Sequence, residues 1–444
     1  MSFNNISKGR NNQKIFLVLL QIGIITTAIS VSISQLFLGL TFIFFLFDSE
    51  RRKRVQFSPL VVTTFLFFGV YFISIVWNYW GVALDTNTLL QIKQSEFKDL
   101  LLFLSFFLTA TLTQEEMGKA KRAFIVLLII LGTTGLLSIF SIYRFTYLFN
   151  SLFRTVSTWK FQHHYGEIGG VNIYLPIGLM NTHLTFGGLL MFFTPFLLFK
   201  FWESIFEKKS FLLKILEFLL LSCFFMVVLL NNARSSIFGS GVGIFFGIII
   251  VIFIKKEISL KKILKYSVVL IFILSVVVVS LSFSSALRKT ILPLLGSEKH
   301  TDSGRTFIWD STFNLIEKSP LIGVGPGRYS SMINSSRKER SEKNQKLLYF
   351  YEVTQRGHSH NDYFHIAAIS GILNVIFYLG ILYFIIVKIL EKSINSEDTA
   401  LYYGLVGFFF AGLFQCYFQD DEVVLVFWYL VGFLFNPLKF EKKD

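Results

Sequence analysis

Three residues in this chain could together move an anionic leaving group and a proton. Arg234 sits in Asn231-Asn232-Ala233-Arg234-Ser235-Ser236, between two long apolar runs. A guanidinium grips oxyanions through a planar fork, and the start of a helix presents N–H groups that favour phosphate. An arginine snorkelling to a membrane interface explains the same residue, and both readings stand. Arg305 lies one turn before Trp309, where Asp302-Ser303 precede an expected helix from Gly304 to about Lys318, stopped by Pro320. A cation there opposes the helix dipole, so a ligand role competes with that of a plain charge near the cap. His360 belongs to His358-Ser359-His360-Asn361-Asp362, just before another apolar run. An imidazole accepts a proton near neutral pH, and the neighbouring His358 and Asn361 favour a general base over an idle interfacial histidine. A zinc site built on His358 and His360 lacks carboxylate or thiol companions at suitable spacing, so no metal is expected. His163, His164, His183, His300 and His365 have no comparable setting. Asp420-Asp421-Glu422 reads as an acidic turn that obeys topology, pairs with basic segments or holds a metal.

The elements that must position these groups are membrane helices. The chain has 444 residues, 53% of them hydrophobic and 16% charged, with 54 Phe and a mean hydropathy of +0.60. A soluble protein of this length could not cover its core with so few charges. Twelve spans are expected, near 15–30, 33–47, 58–77, 98–113, 123–143, 183–202, 211–230, 236–254, 264–284, 364–388, 400–418 and 422–437. The net charge of +14 would suggest nucleic acid in a soluble domain, but the positive-inside rule accounts for it better. With both termini cytoplasmic, the inner loops hold Arg51-Arg52-Lys53-Arg54, Lys119/Lys121/Arg122, Lys208/Lys209, Lys255/Lys256/Lys261/Lys262 and Lys442/Lys443. The short outer turns hold Arg234 and the acidic triplet at 420–422. Met1–Gln13 is polar and the following run has no cleavage site, so no cleavable signal is expected.

The chain divides into residues 1–285 with spans one to nine, a large outer loop at 286–362, and residues 363–444 with spans ten to twelve and a tail. The loop carries 12 of the 42 Lys/Arg and three of the seven His. Within it, Phe307, Ile308, Ser311, Leu315 and Ile316 mark the apolar face of a helix expected along the outer leaflet. The glycine-rich 321–329 stretch lacks phosphate-loop spacing and reads as a structural turn. A second outer loop, 144–182, ends in an apolar part expected to be re-entrant or interfacial. Gly239, Gly243 and Gly247 are spaced for close helix packing. Cys223 and Cys416 lie in apolar runs and read as packing residues. No Walker A sequence or dinucleotide fingerprint occurs, which argues against ATP-driven transport and against nucleotide cofactors.

At three places the chain resembles the O-antigen ligase family, whose domain is shared with some O-antigen polymerases and protein O-oligosaccharyltransferases. They are Asn231-Asn232-Ala233-Arg234-Ser235-Ser236, then Ser303-Gly304-Arg305-Thr306-Phe307-Ile308-Trp309 followed by Ser319-Pro320-Leu321-Ile322-Gly323-Val324-Gly325-Pro326-Gly327, and His360-Asn361 with Gly371 ten residues beyond the asparagine. The resemblance implies an all-α, GT-C-like polytopic protein of the bacterial inner membrane, active on its periplasmic face. It implies a glycan donor on undecaprenyl diphosphate and a hydroxyl acceptor, lipid A–core before a growing glycan or a protein. By the same resemblance Arg234 and Arg305 would hold the diphosphate and His360 would deprotonate the acceptor for inverting attack. Asn361, His358 and Trp309 would support them, with no metal or nucleotide cofactor. A transporter of lipid-linked oligosaccharide is the competing class, though it would be expected to carry ionisable groups within its spans. An intramembrane serine protease fits poorly, since Gly239-Ser240-Gly241 has no evident histidine in a neighbouring span.

Overall fold

The computed structural model describes residues 3–82, 85–148, 160–206, 210–255, 300–354, 357–395 and 398–437. The expected span at 264–284, the start of the large loop at 286–299, Lys208/Lys209, Lys256, Lys261, Lys262 and Lys442/Lys443 lie outside the described residues.

The protein is an all-α polytopic membrane protein. We label its principal helices α1 (Phe3–Thr26), α2 (Val31–Phe47), α3 (Pro59–Tyr79), α4 (Asp99–Ala110), α5 (Gln114–Ile139), α6 (His183–Phe206), α7 (Phe211–Leu230), α8 (Arg234–Ile249), α9 (His300–Lys318), α10 (Tyr329–Lys343), α11 (Asp362–Ser370), α12 (Ile372–Ile394), α13 (Tyr403–Ala411) and α14 (Asp421–Phe435). Among the described residues six helices are long and apolar enough to cross a membrane: α3, α5, α6, α7, α8 with its π-helical extension to Lys255, and α12. Asn12–Thr26, Val31–Phe47 and Ala400–Ala411 are shorter apolar helices.

Local chemistry explains where several of these helices begin. Ser58 accepts from the Val61 N–H with Pro59 at the first helical position of α3. Thr113 and Glu116 form a reciprocal capping box on α5. At the centre, α14 is buried on every side, from Val423 through Leu434, the pattern of a helix surrounded by protein rather than lipid. It lies against α4, where Thr109 Oγ1 donates to the Tyr429 carbonyl at 3.0 Å. Gly239, Gly243 and Gly247 of α8 face α6 and α13 so closely that added side chains would meet Met191, Pro195 and Phe199; the packing reading holds.

Four expectations change. The span foreseen at 364–388 is two helices, α11 and α12, broken at Gly371 with φ +88°. A Cβ on Gly371 would overlap the Leu321 carbonyl, and Ile372 N–H donates to Pro320 O at 2.9 Å. The 144–182 loop contains a β-hairpin, β1 (His164–Ile168) and β2 (Val171–Tyr174), turning through Gly169-Gly170, both at positive φ. The helix expected from Gly304 begins at His300. Its apolar face is buried as foreseen, but against protein: Thr312 and Tyr329 hydroxyls lie 2.7 Å apart, and Ser336 Oγ donates to Ser311 O at 2.9 Å. Finally, Cys223 is exposed on α7, whereas Cys416 is buried.

Candidate functional site

The site forms where two segments that link α-helices are stitched together. One is Gly357–Asn361, entering α11; the other is Gly412–Asp420, linking α13 to α14. Asp362 N–H donates to Gly412 O at 2.7 Å, Asn361 Nδ2 to Leu413 O at 3.0 Å, and Phe418 N–H to Asp362 Oδ1 at 3.1 Å. Ser359 adds a 3.7 Å contact to Cys416 Sγ. Asn361 also caps α11, accepting from Phe364 N–H at 3.0 Å. Both ends of its amide therefore hold backbone. Asp362 is buried with its carboxyl pushed well above the usual range by that burial.

His360 sits at φ +52°, a left-handed conformation uncommon for a side-chain-bearing residue. Its Nδ1 lies 2.8 Å from Gln415 Oε1. An amide oxygen can only accept, so Nδ1 carries the proton and the lone pair stays on Nε2. Its backbone N–H donates to His358 Nδ1 at 3.2 Å, and the two rings meet edge to face at 4.4 Å. Burial lowers the pKa of His360; the Gln415 bond opposes the drop and the Arg305 charge adds to it. Burial, then the charges of His360 and His365, hold His358 down at about 3.

The same electrostatic coupling places the Arg305 guanidinium in the field of His360. Arg305 lies in the second turn of α9, not at its start, so the dipole conflict expected from sequence is weak. One turn on, Trp309 packs edge-on to Phe364 at 6.0 Å, and its buried Nε1–H has no hydrogen-bond partner among the described residues. Arg234 opens α8 from the left-handed Asn232, and Ala233 provides no side-chain cap for that helix. The neighbouring Ser235 hydroxyl lies 2.9 Å from Tyr417 OH. Tyr417 is two residues beyond Gln415, so one segment braces the Arg234 turn and the His360 ring.

Sequence reasoning missed two residues. Gln415 carried one signal, an amide inside an otherwise apolar run. Glu96 carried none. Its Oε1 lies 3.1 Å from His365 Nε2 and its Oε2 accepts Gly327 N–H at 2.7 Å. Burial would raise its pKa, but the His365 bond and charge, with the Gly327 N–H, hold it below the usual range. The pair ties the 321–329 turn to α11, where Val324 and Gly325 N–H donate to Ala368 and Ile369 carbonyls. The acidic turn is likewise engaged away from the basic loop. Asp420 accepts from Thr185 at 2.9 and 3.0 Å, its pKa pushed up to about 8 by burial and then by Glu422. Asp421 meets Lys98 at 2.9 Å and Gln35 at 3.0 Å. Among the described residues no His, Cys, Asp or Glu cluster is arranged to hold a metal ion.

The protein is thus a multi-pass helical membrane protein with arginines and a tautomer-fixed histidine at its helix ends. The O-antigen ligase family model matches residues 218–379, a range that contains Arg234, Arg305, His358 and His360; this part of the chain is an O-antigen ligase domain, which supports a membrane glycosyltransferase of the ligase/polymerase type. A search of curated proteins finds no match.

Proposed function

We propose that this protein transfers a glycan from undecaprenyl diphosphate to a hydroxyl acceptor, lipid A–core foremost, on the periplasmic face of the bacterial inner membrane. The observation that carries the reading is the His360–Gln415 hydrogen bond of 2.8 Å beside the Arg305 charge. It leaves an unprotonated Nε2 next to a cation suited to a diphosphate. In the reaction His360 Nε2 takes the acceptor hydroxyl proton as that oxygen attacks the anomeric carbon. The bond from this carbon to the diphosphate oxygen breaks on the opposite face, which inverts the centre. Undecaprenyl diphosphate leaves with the bonding electrons, its growing charge met by Arg234 and Arg305. The proton on His360 then passes to solvent. The diphosphate is already an activated leaving group, so the chemistry calls for neither metal nor nucleotide.

The test uses purified protein in vesicles with undecaprenyl-diphosphate glycan and separate lipid A–core, glycan and peptide acceptors. Loss of one oxyanion ligand typically costs about 10²–10³ in rate, and loss of a general base about 10²–10⁴. Arg234→Ala or Arg305→Ala should show the first and His360→Ala the second. Full activity in His360→Ala would remove the base assignment. Product on the glycan or peptide acceptor but not on lipid A–core would reassign the acceptor. Movement of the lipid-linked glycan across the bilayer with no product would favour a transporter.

A further inference from the structure

Beside the Arg234 turn lies a cavity of about 580 Å³ that the transfer chemistry does not use. Its walls come from the hairpin strand entry at 161–165, from Arg144, from His183 at the start of α6, and from Asn232. The entry is built by a bridge that pairs Tyr143 with Phe161, and by Gln162 N–H donating to Ile142 O at 2.8 Å.

Three properties of this cavity point to a ligand. First, Gln162 is 6% exposed, and its Nε2 is committed to Leu175 O at 2.5 Å. Gln162 and Asn232 both line the cavity, and Gln162 Oε1 and Asn232 Oδ1 are buried without a hydrogen-bond partner among the described residues. Buried amide oxygens left unmet are costly, so they call for donors supplied from outside. Second, Phe161 is 57% exposed and stacked on Tyr143 at 5.6 Å, a rigid apolar platform at the rim. Third, the basic residues along the wall are Arg144, His163, His164 and His183, with no carboxylate among the described lining.

Paired hydroxyl donors, an apolar ring face and negative charge coincide in an acidic sugar. We infer that this cavity is a subsite for an anionic sugar residue of the glycan, docked on Phe161 and read by Gln162, Asn232 and Arg144. Asn232 stands two residues before Arg234, so the subsite adjoins the place assigned to the diphosphate. That position rests on the functional reading above; the binding chemistry of the cavity does not.

Binding is therefore measured apart from transfer, with purified protein in detergent, by calorimetry. The probes are a hyaluronan tetrasaccharide, which alternates N-acetylglucosamine with glucuronate, and chitotetraose, its neutral counterpart. Hyaluronan should bind and chitotetraose should bind at least about tenfold more weakly, a difference of roughly 1.4 kcal/mol. Phe161→Ala and Gln162→Leu should each weaken hyaluronan at least about tenfold, while His360→Ala should leave it unchanged. Phe161 is exposed, so its variant keeps the test valid if Gln162→Leu fails to fold. Equal binding of both probes, no binding of hyaluronan, or wild-type affinity in Phe161→Ala would each overturn the inference. Because His360→Ala lacks the proposed base but keeps the cavity, loss of transfer with retained binding separates the two readings.

Discussion

Gln415 decides which nitrogen of His360 carries the proton, so its replacement should be visible in a pH profile rather than in folding alone. The Nδ1–H bond to Oε1 favours the imidazolium, because a charged donor gains more from that acceptor. In Gln415→Leu that support is lost and the His360 pKa falls further. The acidic limb of kcat/KM should then move to lower pH, while Gln415→Glu should move it to higher pH. An unmoved limb in both variants would place the rate-determining base elsewhere. His358 makes a second prediction at this scale. The folded protein holds it at about 3 against an ordinary 6.5, so the unfolded chain binds more protons between those values. Stability should fall as pH drops from about 6.5 toward 3, and His358→Asn should flatten that slope in denaturant midpoints measured across the window. His360 and Arg305 drew attention in sequence because a histidine and an arginine stand out beside apolar runs. The partners they meet in the fold did not. Gln415 is 55 residues from His360 and Glu96 is 269 from His365, and no local pattern encodes pairings of that separation.

Helix ends set by side-chain caps carry a local signal, as at Ser58-Pro59 and Thr113–Glu116, because the capping groups lie within the same turn; hydropathy alone begins the second of these spans at 123. The break between α11 and α12 carries no such signal. Hydropathy runs unbroken through Gly371, and only the approach of Pro320 and Leu321 forces the chain to turn there. Gly371→Ala tests this dependence. A new methyl would press on the Leu321 carbonyl at a φ suited to glycine. Overpacking of this kind costs about 1–3 kcal/mol, and the melting temperature should drop accordingly. Because α11 carries His360 at its entry, transfer should fall more than stability does; wild-type activity and melting would show that the joint is not under constraint. The β-hairpin did have a local signal, two adjacent glycines between strand-like residues, which the length of the loop obscured.

Across the whole molecule, the uneven distribution of charge was the readable feature, and it gives a topology that chemistry can check. In a Cys223→Ser background, Asn181→Cys, on the site face before α6, should react with a membrane-impermeant maleimide in intact spheroplasts. Glu115→Cys, at the start of α5, should react only after permeabilisation. Both residues are exposed, and the reverse pattern would invert the assigned orientation. Not every cation in the basic clusters serves topology. Arg51 is 1% exposed, bonds both Glu116 oxygens at 2.6 and 3.1 Å and lies over the Phe16 ring, a role a charge count cannot distinguish. The burial of α14 has a further consequence, for biogenesis. This helix leaves the ribosome after every helix that encloses it, so the bundle must hold a vacant slot until its arrival. The Gly412–Asp420 segment that braces His360 is threaded directly into that late helix. The Gln415 brace of His360 is therefore anchored only once α14 has entered its slot.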